Sequence, residues 1–191
     1  MNWYVVFVKT GREEEAVLDL RFRMDENESF PFVPMKEMLF KKAGRIRREK
    51  DVLFPGYIFV EIDEANSVCP RSLFEAVNRS RVCHRVLNYG SYEYAAMHEE
   101  ERELLHSLMD KDGLIESSDA LLVGDRVVVI SGALKGYENR IVSYDRHKRT
   151  AVIEVTMMDR KIPVTVALNT LMKLPEEAVD HQNGGWNHEY I

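Results

Sequence analysis

The chain has 191 residues, 45% of them hydrophobic and 30% charged, with 26 Lys+Arg against 32 Asp+Glu and a formal net charge of -6. That length supports one or two domains with cores of their own, and the acidic balance argues against a uniformly basic nucleic-acid coat. No apolar run approaches the ~20 residues of a membrane span. The opening Met1-Asn2-Trp3 has no basic leader, and Cys69 and Cys83 cannot form a disulfide framework; the reading is a protein of the reduced cytoplasm.

The first element is a strand over Trp3–Val8, apolar throughout and so buried on both faces. Thr10-Gly11-Arg12-Glu13 fits a capping box. It predicts a helix with Ala16, Val17, Leu20 and Met24 on its buried side. Phe30–Met35, with two prolines, ends that helix and begins an extended stretch. A hairpin turn is expected at Ala43-Gly44, then a strand over Val52–Val60. Pro70–Val77 reads as a short helix and Val82–Leu87 as a strand. A third helix over Met97–Met109 follows, started by Glu99, Glu100 and Glu101. This order predicts an α+β sandwich over residues 1–110.

Residues 111–122 are polar, with Gly113 and Ser117-Ser118, and read as a linker that leaves two modules independent. Five short strands then follow: Arg126–Ile130, Arg140–Tyr144, Ala151–Thr156, Ile162–Val166 and Leu171–Leu174. They predict a small five-stranded β-barrel over residues 123–175. Residues 176–191 form an acidic tail expected to be flexible. Charge divides along the same lines. The first 110 residues carry -4, the linker -2, the barrel +4 and the tail -4. A basic module therefore sits in an acidic chain.

Three motifs, in order, carry a family resemblance: Trp3-Tyr4-Val5-Val6 with Lys9-Thr10-Gly11; Phe54-Pro55-Gly56-Tyr57-Ile58-Phe59-Val60; and Gly124-Asp125-Arg126-Val127 with Gly132 and Gly136–Ile141. Together they resemble the NusG family of transcription elongation factors, whose N-terminal NGN domain precedes an SH3-like KOW barrel. The resemblance implies that the N-terminal domain docks on the clamp helices of RNA polymerase and suppresses pausing and termination. The contact positions it implies are Phe7, Phe54, Tyr57 and Phe59. Strand alternation puts Phe54 and Ile58 on a different face from Tyr57 and Phe59, so the four cannot share one face of a regular strand. Some then belong to the sheet core.

The hairpin Lys36–Lys50 holds seven basic residues, among them Lys41, Lys42, Arg45, Arg47 and Arg48, against Glu37 and Glu49, a net of +5. So one-sided a finger suits phosphates of upstream or non-template DNA; its bland reading is a charged edge that blocks strand pairing. Arg71, Arg79, Arg81 and Arg85 form a lesser basic cluster. On the barrel, Lys135, Arg140, Arg146, His147, Lys148, Arg149, Arg160 and Lys161 predict an RNA-phosphate surface, with Tyr137 or Tyr144 to stack on a base. In the family's general members, a Phe in the apex loop helps bind Rho or a ribosomal protein. Here Leu134 holds that place, followed by Lys135. The pattern is similar to the LoaP paralogs, antiterminators whose KOW domain binds an RNA hairpin. The alternative is a general NusG whose barrel binds Rho or the ribosomal protein, with Leu134 as the contact.

No P-loop, dinucleotide fingerprint or nucleophile elbow is present, so no enzyme is expected. His181 and His188 lack paired cysteine ligands, so neither metal nor cofactor is expected. The chain is expected to act as a monomer away from membranes.

Overall fold

In a computed structural model of the chain, the described residues are 1–42, 44–63, 70–90, 95–175, 179–180 and 185–186. The chain divides into two compact units. The first comprises Met1–Met35, Asp51–Leu114 and Val155–Ile162; the second comprises Lys36–Lys50, Ile115–Glu154 and Pro163–Ile191.

The first unit is built on strand β1 (Asn2–Val8), helix α1 (Glu13–Arg23) and strand β2 (Ser29–Phe32). The chain leaves through β3 (Met35–Lys42) and β4 (Arg45–Val52). It returns as β5 (Tyr57–Ile62), α2 (Arg71–Arg79), β6 (Cys83–Val86) and α3 (Glu99–Leu108). The sheet order is β2-β5-β1-β6, antiparallel at each junction. Alternation gives the sheet two apolar faces. Tyr4, Val6, Val8, Ile58, Val60 and Ile62 meet the buried side of α1 (Ala16, Val17, Leu20) and of α2 (Leu73, Ala76, Val77) in one core cluster. Trp3, Val5, Phe7, Tyr57 and Phe59 belong to the other face, as the register Phe7↔Tyr57 and Val5↔Phe59 requires.

Two local expectations need correction. The Val52–Val60 run is not one strand. It breaks at Leu53–Gly56, where Gly56 adopts φ +86, and β5 begins only at Tyr57. The capping box is also absent. Arg12 is the N-cap residue and no side chain caps the helix. The Glu13 carboxylate accepts instead from the Gly11 N–H at 3.1 Å and from the Gly56 N–H at 2.7 Å.

The stretch predicted as a linker is structured. Leu114–Ile115 forms β7, which pairs with β3, and Ser118–Val123 forms β8. The rest of the second unit is β9 (Arg126–Ser131), a 3-10 turn (Glu138–Arg140), β10 (Ile141–Asp145), β11 (Thr150–Met157) and β12 (Arg160–Leu174). Two-residue strands, β13 (Val179–Asp180) and β14 (Gly185–Trp186), pair in the tail. The expected flexibility of the tail otherwise falls outside the described residues. The five-stranded sheet runs β10-β11-β12-β8-β9. Five strands are present, as expected, but not the expected five. The last two merge into β12, and β8 joins it in parallel from Leu168↔Ser118 to Leu174↔Val123. Composition misled because β8 begins with Ser118-Asp119. Ser118 is only 1% exposed, and its Oγ accepts the Leu134 N–H at 2.9 Å. Among the described residues, no helix is long and apolar enough to cross a membrane.

Candidate polymerase and nucleic-acid surfaces

On the second face of the first sheet, Trp3, Phe32, Phe54 and Phe59 form a connected aromatic layer. Trp3 lies 5.4 Å from Phe32 and 5.6 Å from Phe59, and Phe54 stacks on Phe59 at 5.8 Å. Phe54 therefore joins Phe59 on one side, contrary to the alternation argument. The turn through Pro55-Gly56 releases Phe54 from strand geometry and swings its ring back over Phe59. Phe54 and Phe59 are 4% and 0% exposed. They cannot present their rings to a partner in this state, as the four-residue contact set required.

The other two members of that set are half-buried and stay together. Phe7 and Tyr57 are direct cross-strand partners, with ring centroids 5.5 Å apart. His84, on the neighbouring β6, lies 5.0 Å from Phe7 and is exposed. Sequence reasoning missed His84 because nothing local shows that β6 pairs with β1. The resulting Phe7–Tyr57–His84 patch is a continuation of the buried aromatic layer toward the surface.

Glu13 fixes the turn that sets this patch. It is 5% exposed. Burial raises its pKa, but the hydrogen bonds from Gly56 and Gly11 outweigh that and hold it below the ordinary carboxylate value. A depressed carboxylate stabilises the fold above its unfolded pKa, and the contribution is lost as pH falls through the folded value. Glu13→Gln should therefore lower stability at neutral pH by roughly 1–2 kcal/mol. It should also flatten the decline of stability below about pH 4. Urea titrations across that range check both, and an unaltered acid limb would show that Glu13 is not a titrating tether.

The basic hairpin exposes one strand more than the other: every residue from Arg45 to Asp51 is exposed, and so is Lys41, while Met35–Met38 of β3 are half-buried and Leu39 is buried. The side chain of Lys42 lies outside the described residues, as does Ala43 of the turn. Arg48 lies 3.7 Å from Glu37, as Lys148 of the second unit lies 3.8 Å from Asp145. Glu37 also accepts the Ser117 N–H at 2.9 Å. Burial pushes its pKa up, but Ser117, Arg48 and Lys50 bring it below the ordinary value. In the lesser cluster, Arg71 and Arg79 both engage Glu75.

The structure divides the predicted barrel cations. Lys135, Arg140, Arg146, His147 and Lys148 are exposed on the second unit. Arg149 is half-buried, adopts φ +58 and donates to the Asn169 side chain, which in turn donates to Asp119 at 2.8 Å. Its guanidinium is part of the unit's own frame. Arg160 and Lys161 belong to the first unit, where they begin β12 just after the turn from β11. Leu134 is fully buried, so it is a core residue and not the exposed partner contact expected of it. Its backbone hydrogen bond to Ser118 places it there. Tyr144 is 37% exposed and Tyr137 is half-buried. No group of three His, Cys, Asp or Glu residues is placed to hold a metal among the described residues; His181, His188 and Cys69 lie outside them.

A family profile described as transcription termination factor nusG matches residues 1–106, more than half of the chain. The chain belongs to the NusG family. Among its relatives, the transcription termination/antitermination protein NusG of Thermus thermophilus is 23% identical over 181 residues, covering 91% of this chain and 98% of that protein. The NusG of Staphylococcus aureus is 26% identical over 180 residues, covering 91% and 96%. A solved structure described as "Domain interaction in Thermotoga maritima NusG" is similar with a TM-score of 0.49 at 19% identity, over 87% of this chain and 93% of that one. NusG-family proteins are transcription factors that work with RNA polymerase.

Proposed function

We propose that this NusG-family chain is a cytoplasmic, monomeric elongation and antitermination factor of LoaP type. Its Phe7–Tyr57–His84 patch docks on the polymerase clamp helices, and the exposed cations of its second unit hold an RNA hairpin. The observation that carries the polymerase half is the patch itself: half-buried Phe7 and Tyr57 beside exposed His84, on the same sheet face as the closed aromatic layer. The RNA half is supported by Lys135, Arg140, Arg146, His147 and Lys148, all solvent-facing, on a unit whose apex Leu134 is not available to a protein partner. The β3–β4 finger supplies phosphate contacts to upstream or non-template DNA.

Tyr57→Ala in the full chain should weaken binding to core RNA polymerase by more than about ten-fold, the scale of an interface anchor. Arg146→Glu should leave polymerase binding alone and lower affinity for a leader hairpin RNA, with a shallower salt dependence. Gel shifts and polymerase pull-downs read the two separately. Undiminished polymerase binding by the Tyr57 variant would sink the docking surface. Failure to bind any transcribed leader, with tight capture of Rho or the ribosomal protein instead, would replace the LoaP reading with a general NusG.

A further inference from the structure

One cleft of the second unit shares Tyr144 with the RNA surface above. It has a volume of about 640 Å³ and lies between the start of β9, the 3-10 turn and β10, which is the scale of a small-molecule site. Its lining includes Asp125, Arg126, Glu138, Asn139, Val142 and Tyr144. Val142 is 68% exposed, and the β10–β11 ladder is irregular between Ile141 and Ser143, which leaves Val142 without a partner across the strands.

Near this cleft, Asp145 accepts the N–H groups of His147 and Lys148, and Arg149, Asn169 and Asp119 form a closed chain. In the cleft, Asp125, Arg126, Glu138, Asn139 and Tyr144 engage no other side chain among the described residues. Carboxylates and a guanidinium share one opening without neutralising each other. Such an arrangement has acceptors and donors to offer a ligand that carries both.

We propose that this cleft is a pocket for a single unpaired guanine of an RNA, set by the side chains of Asp125, Arg126, Glu138 and Tyr144. Guanine is the base that presents N–H donors on one edge and the O6/N7 acceptor pair on another. A carboxylate takes the first and an arginine the second. Tyr144 offers a face for stacking, and Val142 an apolar floor. The basic turn Arg146–Lys148 follows Tyr144 in the chain after Asp145, where it meets the backbone phosphates and fixes register without reading sequence. The acidic residues therefore select, while the neighbouring cations bind. The inference rests on the RNA reading of this unit and deepens it.

The test uses the full chain and fluorescently labelled hairpin RNAs at about 150 mM salt. One hairpin has an all-uridine loop; in the others a guanosine, or an inosine, replaces each loop uridine in turn. A loop guanosine should tighten binding about ten-fold, and inosine, which lacks the N2 amine, should lose much of that gain. Glu138→Gln should erase the guanosine preference while keeping the all-uridine affinity and the melting profile, whereas Tyr144→Ala should weaken guanosine and uridine loops alike. Equal binding of guanosine and uridine loops would overturn the pocket and leave the RNA surface standing. If no hairpin binds at all, both readings fall.

Discussion

Replacing Gly132 by alanine should cost the second unit roughly 3–6 kcal/mol, the sum of backbone strain and a clash that cannot relax. Gly132 adopts φ +91, and a Cβ there would stand 2.4 Å from the Ser117 carbonyl oxygen and 2.6 Å from the Ser118 Cα. Both obstacles are backbone, so no side chain can swing away. The same segment holds Ser118, whose hydroxyl accepts the Leu134 N–H and seats Leu134 in the interior. Pushing it aside would expose a fully buried leucine. Set against a total of about 5–15 kcal/mol for a domain, that loss should bring the unit close to unfolding at physiological temperature. Gly136→Ala is the control. Its φ is +84, but nothing lies within 4 Å of the new Cβ, so only the strain of about 1–2 kcal/mol applies. Thermal melts of the two variants should differ widely, and similar melts would refute the clash.

Removing the Glu101 carboxylate is the second large effect. Glu101 is 6% exposed on the buried side of α3. It accepts the Tyr89 hydroxyl at 2.7 Å, the Met158 N–H at 3.1 Å and the Asp159 N–H at 2.9 Å. Those two amides form the turn between β11 and β12, where both residues have positive φ. A tight turn with no glycine carries strain, and Glu101 is what holds its donors. Burial and the Glu101 carboxylate together push the Tyr89 phenol pKa up, so the tyrosine remains a donor throughout the ordinary pH range. Glu101→Ala takes the acceptor from the buried Met158 amide, the part-buried Asp159 amide and the Tyr89 hydroxyl and should cost about 2–4 kcal/mol. Glu101→Gln, which retains an acceptor, should cost less. Hydrogen exchange at Met158 and Asp159 gives the local readout. Unchanged protection there in Glu101→Ala would show that the turn does not depend on this carboxylate.

Much of the first unit could be read directly from residue spacing. β1, α1, α2, β6 and α3 all lie within a few residues of their expected bounds, because each brings apolar residues to the surface it packs against. Two kinds of feature were not legible. The first is where a residue is committed to a distant partner. Glu13 has the spacing of a capping box, but its carboxylate is engaged by Gly56, 43 residues away. The second is where composition and position disagree. Ser118 and Asp119 look like linker, yet the neighbouring β12 offers a place for a parallel strand. The site followed the same logic. Phe7 and Tyr57 were legible as aromatics of an interface type, but their pairing required the β1–β5 register, and His84 required β6 beside β1. The burial of Leu134 turned on a hydrogen bond to a residue outside its own motif.

The chain passes between the two units five times, at 35/36, 50/51, 114/115, 154/155 and 162/163. Two modules joined by one connector could be separated by a single protease cut, traded between genes as intact cassettes, or expressed as independent halves. Here, a cut after Leu114 leaves Val155–Ile162 on the C-terminal fragment although it belongs to the N-terminal body, where Glu101 grips it. A nicked protein should therefore migrate as one species until denatured. Recombination at that boundary would hand each hybrid a foreign turn to accommodate.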